Sequence, residues 1–202
     1  MQQQRAKQTA PEKQSKLFPQ GKASKLFIGI NVSLTEEPYK HAGMSDEDRQ
    51  MNAHMTFQWC GTEISDEQLA VIFPIWVDAI EALPREQRIV TSTSEYALFG
   101  KEHDVLVLKC KVSPELEDAV NAARAKTAAA CPDVPPSDFD FSPHVTLGNG
   151  HTLPPPYTKH EDFGQFAFPQ VMFWGDDYVL RGYHTLSDAP VAAVCEIALS
   201  PV

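Results

Sequence analysis

Two short segments of the chain combine residue types and spacing that could cleave a phosphodiester. Each has a histidine, one intervening residue, a threonine and then an apolar residue, at His54-Met55-Thr56-Phe57 and His144-Val145-Thr146-Leu147. One imidazole can remove a proton from an attacking oxygen while the other protonates the leaving oxygen. The threonine hydroxyls can donate hydrogen bonds to the charged non-bridging oxygens. Candidate catalytic residues are therefore His54 and His144, with their acid and base roles open, and Thr56 and Thr146 are candidate substrate-binding residues.

Both segments are typical of β-strands, because β-branched and aromatic residues alternate with polar ones. Alternate residues of a strand share a face. We therefore predict that His54, Thr56 and Gln58 share a polar face, whereas Phe57 and Trp59 belong to an apolar face against the core. A single His-x-Thr triplet arises by chance, and both histidines could be surface residues of ordinary strands. Two strand-like copies favour the catalytic interpretation.

On these two motifs the chain resembles the 2H phosphoesterase superfamily, which is named for its paired His-x-Thr/Ser motifs. That group includes LigT-type RNA 2′,3′-cyclic phosphodiesterases, 2′-5′ oligonucleotide phosphodiesterases and phage anti-CBASS proteins that cleave cyclic oligonucleotide signals. The resemblance covers roughly residues 25 to the 180s. It implies an α+β (α/β-like) fold, with two pseudo-symmetric lobes of mostly antiparallel sheet, helices outside and a central cleft. It also implies a metal-independent phosphodiesterase that needs no cofactor.

The chain is predicted to be a disordered tail (residues 1–24) followed by a single bilobal domain (residues 25–202). The tail is rich in glutamine, lysine and alanine and has few apolar anchors. The expected elements are a strand over 25–33, a polar loop over 35–51, a helix over 65–83 that begins with a capping box and is kinked or broken at Pro74, strands over 87–99 and 105–112, and a helix over 114–130. The order of the elements suggests two related halves, each with one motif strand.

The segment after the second motif is predicted to form strands over 163–174 and 177–186, with a possible edge strand over 191–199. Tyr178 and Arg181 in this segment are candidates for stacking on a base or contacting phosphate. Tyr39, in the polar loop, is a candidate for the mouth of the site, since loops often carry binding residues. The alternative for these aromatic residues is an ordinary place in the core or on an exposed loop.

Composition narrows the class of partner. The formal net charge of −10 disfavours broad binding to duplex or other long nucleic acid, so a small nucleotide or short oligonucleotide is the expected substrate. No apolar run reaches membrane-spanning length. The four cysteines lack close pairing, so we expect reduced thiols in a cytoplasmic protein, in the host cytoplasm if it is viral. A monomer is the favoured oligomeric state. No zinc motif, Gly-rich phosphate loop or Gly-x-Ser-x-Gly occurs. The remaining alternative is a non-catalytic module that binds a nucleotide or RNA end.

Overall fold

The chain forms two antiparallel sheets with helices. In the computed structural model, the described residues are 14–32, 34–45, 53–134, 140–149, 152–154 and 164–188. Their strands are β1 (Ser15–Leu17), β2 (Ser24–Asn31), β3 (His54–Ile64), β4 (Ile89–Phe99), β5 (Val105–Val112), β6 (His144–Asn149), β7 (Gly164–Ala167), β8 (Gln170–Trp174) and β9 (Leu180–Thr185). Their α-helices are α1 (Glu37–His41), α2 (Asp66–Glu81) and α3 (Pro114–Ala130), with 3-10 turns at Arg85–Gln87 and Asp176–Tyr178.

One sheet has five strands in the order β1-β9-β8-β2-β3, and the other has four in the order β6-β5-β4-β7. Every strand pairing among the described residues is antiparallel. The two motif strands, β3 and β6, are each an edge strand of their sheet. The α+β architecture that the family resemblance implies, with two mostly antiparallel sheets, is confirmed.

The two longer helices begin and end close to the predicted positions. The Ser65 hydroxyl accepts a hydrogen bond from the Gln68 N–H, and the Gln68 side chain accepts one from the Ser65 N–H, so the capping box is confirmed. Helix α2 continues through Pro74 to Glu81, so the proline does not break it. The two helices are joined by a buried hydrogen bond of 3.0 Å from Trp76 Nε1 to Thr127 Oγ1.

A single hydrophobic core joins both sheets to these helices. It includes buried side chains of β2 and β3 from one sheet, of β5 and β6 from the other, and of α2 and α3. Three cysteines, Cys60, Cys110 and Cys131, are buried in it as free thiols. Burial raises the pKa of Cys60 and of Cys110 to about 12, which keeps both thiols protonated and unreactive near neutral pH.

Three predicted segments differ from the structure. Part of the tail expected to be disordered forms strand β1, which pairs with β9, while residues 1–13 lie outside the described residues. The strand predicted over 163–174 is divided at Phe168-Pro169, and its two parts, β7 and β8, belong to different sheets. The proline cannot donate a ladder hydrogen bond, which explains the division at this point. The strand predicted over 191–199 also lies outside the described residues.

Candidate active site

The fold brings the two motif strands together. Strands β3 and β6 contact each other where the edges of the two sheets meet. His54 and Thr56 lie on β3, and His144 and Thr146 lie on β6. We call the surface of the two adjoining edge strands that carries these four residues the motif face.

A β-bulge follows the motif threonine in each of these strands. On β3, Thr56 pairs with Gly29 and Gln58 pairs with Ile28, so Phe57 is an extra residue. A bulge adds one residue to one strand and redirects the side chains beyond it, often beside an active site. The bulge residue Phe57 is fully buried in the core.

The second motif repeats this arrangement. On β6, Thr146 pairs with Val107 and Gly148 pairs with Leu106, so Leu147 is the extra residue. Leu147 is also fully buried in the core. The apolar residue that follows each His-x-Thr therefore anchors a bulge that holds the motif strand on the core.

The bulge at Phe57 overturns part of the predicted face assignment. Gln58 was expected beside His54 and Thr56, but it pairs with the core residue Ile28 and is itself 2% exposed. Trp59 was expected in the apolar core face, but it is 55% exposed and pairs with Phe27. Strict alternation fails here because the extra residue reverses the faces of all residues beyond it.

Each catalytic candidate packs against an aromatic ring from its own sheet. The His54 ring lies 5.6 Å from the Trp174 ring at an interplanar angle of 59°, and the His144 ring lies 4.6 Å from the Phe99 ring at 56°. In both halves the aromatic residue is two strands away from the histidine in its sheet. The near-symmetry suggested by the order of the elements is therefore repeated in the surroundings of the two imidazoles.

The strand register shows the same spacing between paired positions in the two halves. Asn31 lies opposite His54, and the residue four positions earlier, Phe27, lies opposite Trp174. The second half has the same offset, with Lys109 opposite His144 and Val105 opposite Phe99. Positions in one half can therefore be matched to positions in the other.

A hydrogen bond sets the proton arrangement of His144. Its Nδ1 lies 2.6 Å from the carbonyl oxygen of Ser142. Because a carbonyl can only accept, Nδ1 must carry the hydrogen, and neutral His144 then has its lone pair on Nε2. Burial is the largest influence on its pKa and lowers it, the bond to Ser142 raises it, and the nearby charge of His54 lowers it further. The folded protein therefore favours the neutral, proton-accepting form of His144. The two imidazoles are also close enough for an electrostatic interaction.

The motif face has an apolar floor. Val107 and Met172 are buried but lie outside the main core. Val107 pairs with Thr146, and Met172 pairs with Gly29, which also pairs with Thr56. A Cβ on Gly29 would lie 2.1 Å from the Met55 carbonyl oxygen, so only glycine allows β3 to approach this closely. Electrostatic interactions at the motif face are stronger against such a floor than in water.

The remaining predicted binding residues have different positions. Tyr178 lies at the site, with its ring 5.2 Å from the His54 ring and 40% of its surface exposed. Tyr39 was expected at the mouth of the site, but it is in α1, buried in the core. The prediction for Tyr39 was wrong because the supposed loop contains a helix turn that packs inward.

Arg181 also fails as a predicted phosphate ligand. Its side chain is fully buried, donates to the Ile64 carbonyl at 2.8 Å and pairs with the Asp66 carboxylate at 2.9 Å. Its guanidinium therefore joins β9 to the end of β3 and the start of α2, and it is not available to a substrate. Sequence alone could not distinguish this role, because an arginine in a strand can pair with protein or with phosphate equally well.

No group of three or more His, Cys, Asp or Glu side chains in the described ranges is arranged to hold a metal ion. Within the same ranges, no helix has the length and apolar character required to cross a membrane.

The paired antiparallel sheets, with a His-x-Thr motif on each facing edge strand, have the fold of the 2H phosphoesterases. A solved phosphoesterase structure matches this chain with a TM-score of 0.55 and 18% identity, over 81% of this chain and 95% of that one. E. coli LigT complexed with NADP+ matches with a TM-score of 0.55 and 18% identity, over 82% and 99% of the two chains. E. coli LigT complexed with 3′-AMP matches with a TM-score of 0.54 and 19% identity, over 81% and 95%. No protein-family model and no curated protein sequence matches the chain, so this likeness concerns the fold.

Proposed function

We propose that this protein is a metal-independent phosphodiesterase that cleaves a nucleotide phosphodiester with His54 and His144 as an acid–base pair. The observation that carries the proposal is the contact between the two motif strands, each of which carries a histidine and a threonine. The effect of His54 on the pKa of His144, which it lowers, agrees with this arrangement. A pair in which one imidazole is neutral and the other charged can accept and donate a proton in the same reaction. No metal or cofactor is required by this chemistry.

His144 is the general base in this proposal, and His54 is the general acid. The Ser142 carbonyl holds the hydrogen of His144 on Nδ1, which leaves Nε2 to accept a proton. Burial keeps His144 neutral to lower pH, and a charged His54 reinforces that effect. In this proposal His54 carries the proton of the pair, because an acid must be protonated before the reaction begins.

The steps balance for a 2′,3′-cyclic phosphate. The Nε2 of His144 takes a proton from water as the water oxygen bonds to phosphorus. The bond between phosphorus and one ribose oxygen breaks, and His54 gives its proton to that oxygen. For a linear linkage with a free neighbouring hydroxyl, His144 removes the hydroxyl proton as that oxygen bonds to phosphorus. The bond from phosphorus to the oxygen of the next nucleoside breaks, His54 gives its proton to that oxygen, and the other product is a cyclic phosphate. In either reaction Thr56 and Thr146 donate hydrogen bonds to the non-bridging oxygens.

The class of substrate is a small nucleotide or short oligonucleotide. The acidic chain disfavours long nucleic acid, and LigT structures with a similar fold were solved with 3′-AMP and NADP+. RNA ends with cyclic phosphates, 2′-5′ oligonucleotides and cyclic oligonucleotide signals all have the required bond. Cleavage of the last class would suit a phage counter-defence protein.

The test is a cleavage screen in the presence of EDTA. Native protein is incubated with 2′,3′-cyclic nucleotides, 2′-5′ oligoadenylates and cyclic dinucleotides, beside the single variants His54→Ala and His144→Ala. Each variant should lose about 10²- to 10⁴-fold in turnover, the usual contribution of a positioned acid or base. His103→Asn, at an exposed turn, is the matched control and should retain native activity. Near-native turnover by His54→Ala would show the pairing to be wrong, and tight binding of a member without cleavage would favour a binding module.

A further inference from the structure

Aromatic side chains form a continuous strip that begins at His54. The Tyr178 ring lies 5.2 Å from the His54 ring, the Phe27 ring lies 5.9 Å from Tyr178, and the Trp59 ring lies 6.3 Å from Phe27. Phe27 is close to parallel with both neighbours, at interplanar angles of 25° and 26°. We call Tyr178, Phe27 and Trp59 the aromatic strip.

Both ends of the aromatic strip are exposed to solvent, and Phe27 between them is half-buried. Trp59 is 55% exposed and Tyr178 is 40% exposed, and they are the aromatic members of the exposed large apolar residues in the described chain. Trp59 faces outward because of the bulge at Phe57, so the same feature that anchors the motif strand also exposes this ring. Bulges that redirect a side chain next to an active site are a recurrent device.

The backbone of Tyr178 adds an independent observation. Its φ is 56°, in the left-handed region that non-glycine residues seldom adopt. Residues held in such conformations cluster at ligand-binding and active sites, where the surrounding structure maintains them. This conformation occurs at the residue that connects the aromatic strip to His54.

Comparison of the two halves shows that only one of them has such a strip. Trp59 follows Thr56 by three residues and pairs with Phe27. The matching position, three residues after Thr146, is the exposed Asn149, which pairs with Val105. The His54 half therefore has two aromatic rings where the His144 half has an asparagine and a valine. The two ends of the pseudo-symmetric site thus differ, and a substrate can bind in one orientation.

We propose that the aromatic strip is a nucleobase-binding subsite, in which a base of the substrate stacks on Trp59 and Tyr178 beside His54. This inference rests on the proposed phosphodiesterase function and deepens it. Every base has a π-face, so such a platform accepts different bases and rejects phosphodiesters that lack one.

The position of the base also orients the reaction. A nucleoside whose base lies on the aromatic strip presents its ribose oxygen to His54, the acid that protonates the leaving oxygen. Water then approaches from the His144 side, where Asn149 leaves the surface polar. The subsite and the acid and base roles are therefore mutually consistent.

The test separates base binding from phosphate binding. Full-length protein is titrated by calorimetry with 3′-AMP and with ribose 5-phosphate, a sugar phosphate without a base. The variants are Trp59→Ala and Trp59→Phe, and Asn149→Ala is the matched control at the corresponding position. Since base–aromatic stacking is lost in Trp59→Ala, 3′-AMP should bind about 5- to 150-fold more weakly. Ribose 5-phosphate binding should not change, Trp59→Phe should retain most of the 3′-AMP affinity, and Asn149→Ala should bind as the native protein does.

The subsite is overturned if Trp59→Ala binds 3′-AMP as the native protein does, or if it weakens both ligands equally. It is also overturned if the native protein binds no 3′-AMP at millimolar concentration. The cleavage screen is scored separately. If the protein binds 3′-AMP through Trp59 but cleaves no member of the panel, the subsite is supported and the proposed function is overturned. If the protein cleaves a member and Trp59→Ala leaves the 3′-AMP affinity unchanged, only the subsite is overturned.

Discussion

Replacing Phe57 and Trp59 separately by alanine would test the β-bulge that shapes the first motif strand. These two residues are two positions apart, so a regular strand would bury both on one face. With the bulge, Phe57 is fully buried and Trp59 is 55% exposed. The two substitutions should therefore differ sharply in their effect on the free energy of unfolding.

The buried ring determines the larger effect. Phe57 packs against the rings of Trp76, Phe141 and Phe168 at centroid distances of 6.2, 5.9 and 5.8 Å. Removing a phenylalanine side chain from a core costs about 3–5 kcal/mol, and the three aromatic contacts favour the upper half of that range. We expect Phe57→Ala to lose about 4 kcal/mol.

The exposed ring determines the smaller effect. Less than half of the Trp59 side chain is buried. Its replacement by alanine removes roughly 80 Å² of buried apolar surface, which lowers the free energy of unfolding by about 2 kcal/mol at most. No internal cavity remains, because water fills the space at a surface site. The expected difference between the variants is therefore about 2 kcal/mol or more.

The assay is urea unfolding followed by far-ultraviolet circular dichroism, since tryptophan fluorescence would itself change in Trp59→Ala. Phe57→Leu is the control and should recover most of the loss, because it refills most of the volume. Equal destabilisation by Phe57→Ala and Trp59→Ala would refute the bulge, and with it the exposure of the aromatic strip.

Two further predictions concern the motif face. Burial lowers the pKa of His144 in the folded protein, so below pH 6.5 the unfolded chain binds more protons there, and the free energy of unfolding should decrease as the pH falls through the folded-state pKa. Urea unfolding of native protein and His144→Gln at several pH values checks this, and equal acid dependence of the two would contradict it. Gly29→Ala places a Cβ 2.1 Å from the Met55 carbonyl oxygen, so it should destabilise by about 3 kcal/mol, at the upper end of overpacking, and reduce cleavage by displacing His54 and Thr56. Unchanged unfolding and turnover of Gly29→Ala would show that β2 and β3 are less closely paired than described.

Sequence reasoning was most successful where short-range chemistry decides the structure. Helix α2 begins at Ser65 because its hydroxyl and the Gln68 side chain satisfy backbone groups three residues apart. Helix α3 begins after Ser113 and ends before Cys131 for similarly local reasons. The two His-x-Thr motifs also indicated strands, and the structure forms both strands and brings them into contact.

Sequence reasoning failed where a residue chooses between partners that are distant along the chain. Arg181 could have met a phosphate, but Asp66, more than a hundred positions away, and the Ile64 carbonyl satisfy its guanidinium inside the protein. Tyr39 lies in a polar segment that nevertheless turns into the core. Neither outcome has a signal within a few residues of the position concerned.

The amino-acid sequence by itself determined the reactive groups, the polar and apolar alternation of the motif strands as far as each threonine, and the helix boundaries, because these depend on neighbours within about one helical turn. Only the tertiary structure decided the bulges, the division of β7 from β8 between the sheets, and the outward orientation of Trp59. The physical reason is that strand register is a relation between two strands. One extra residue on β3 has no meaning until β2 lies beside it, and that pairing determines which side chains face the core and which remain available to a ligand.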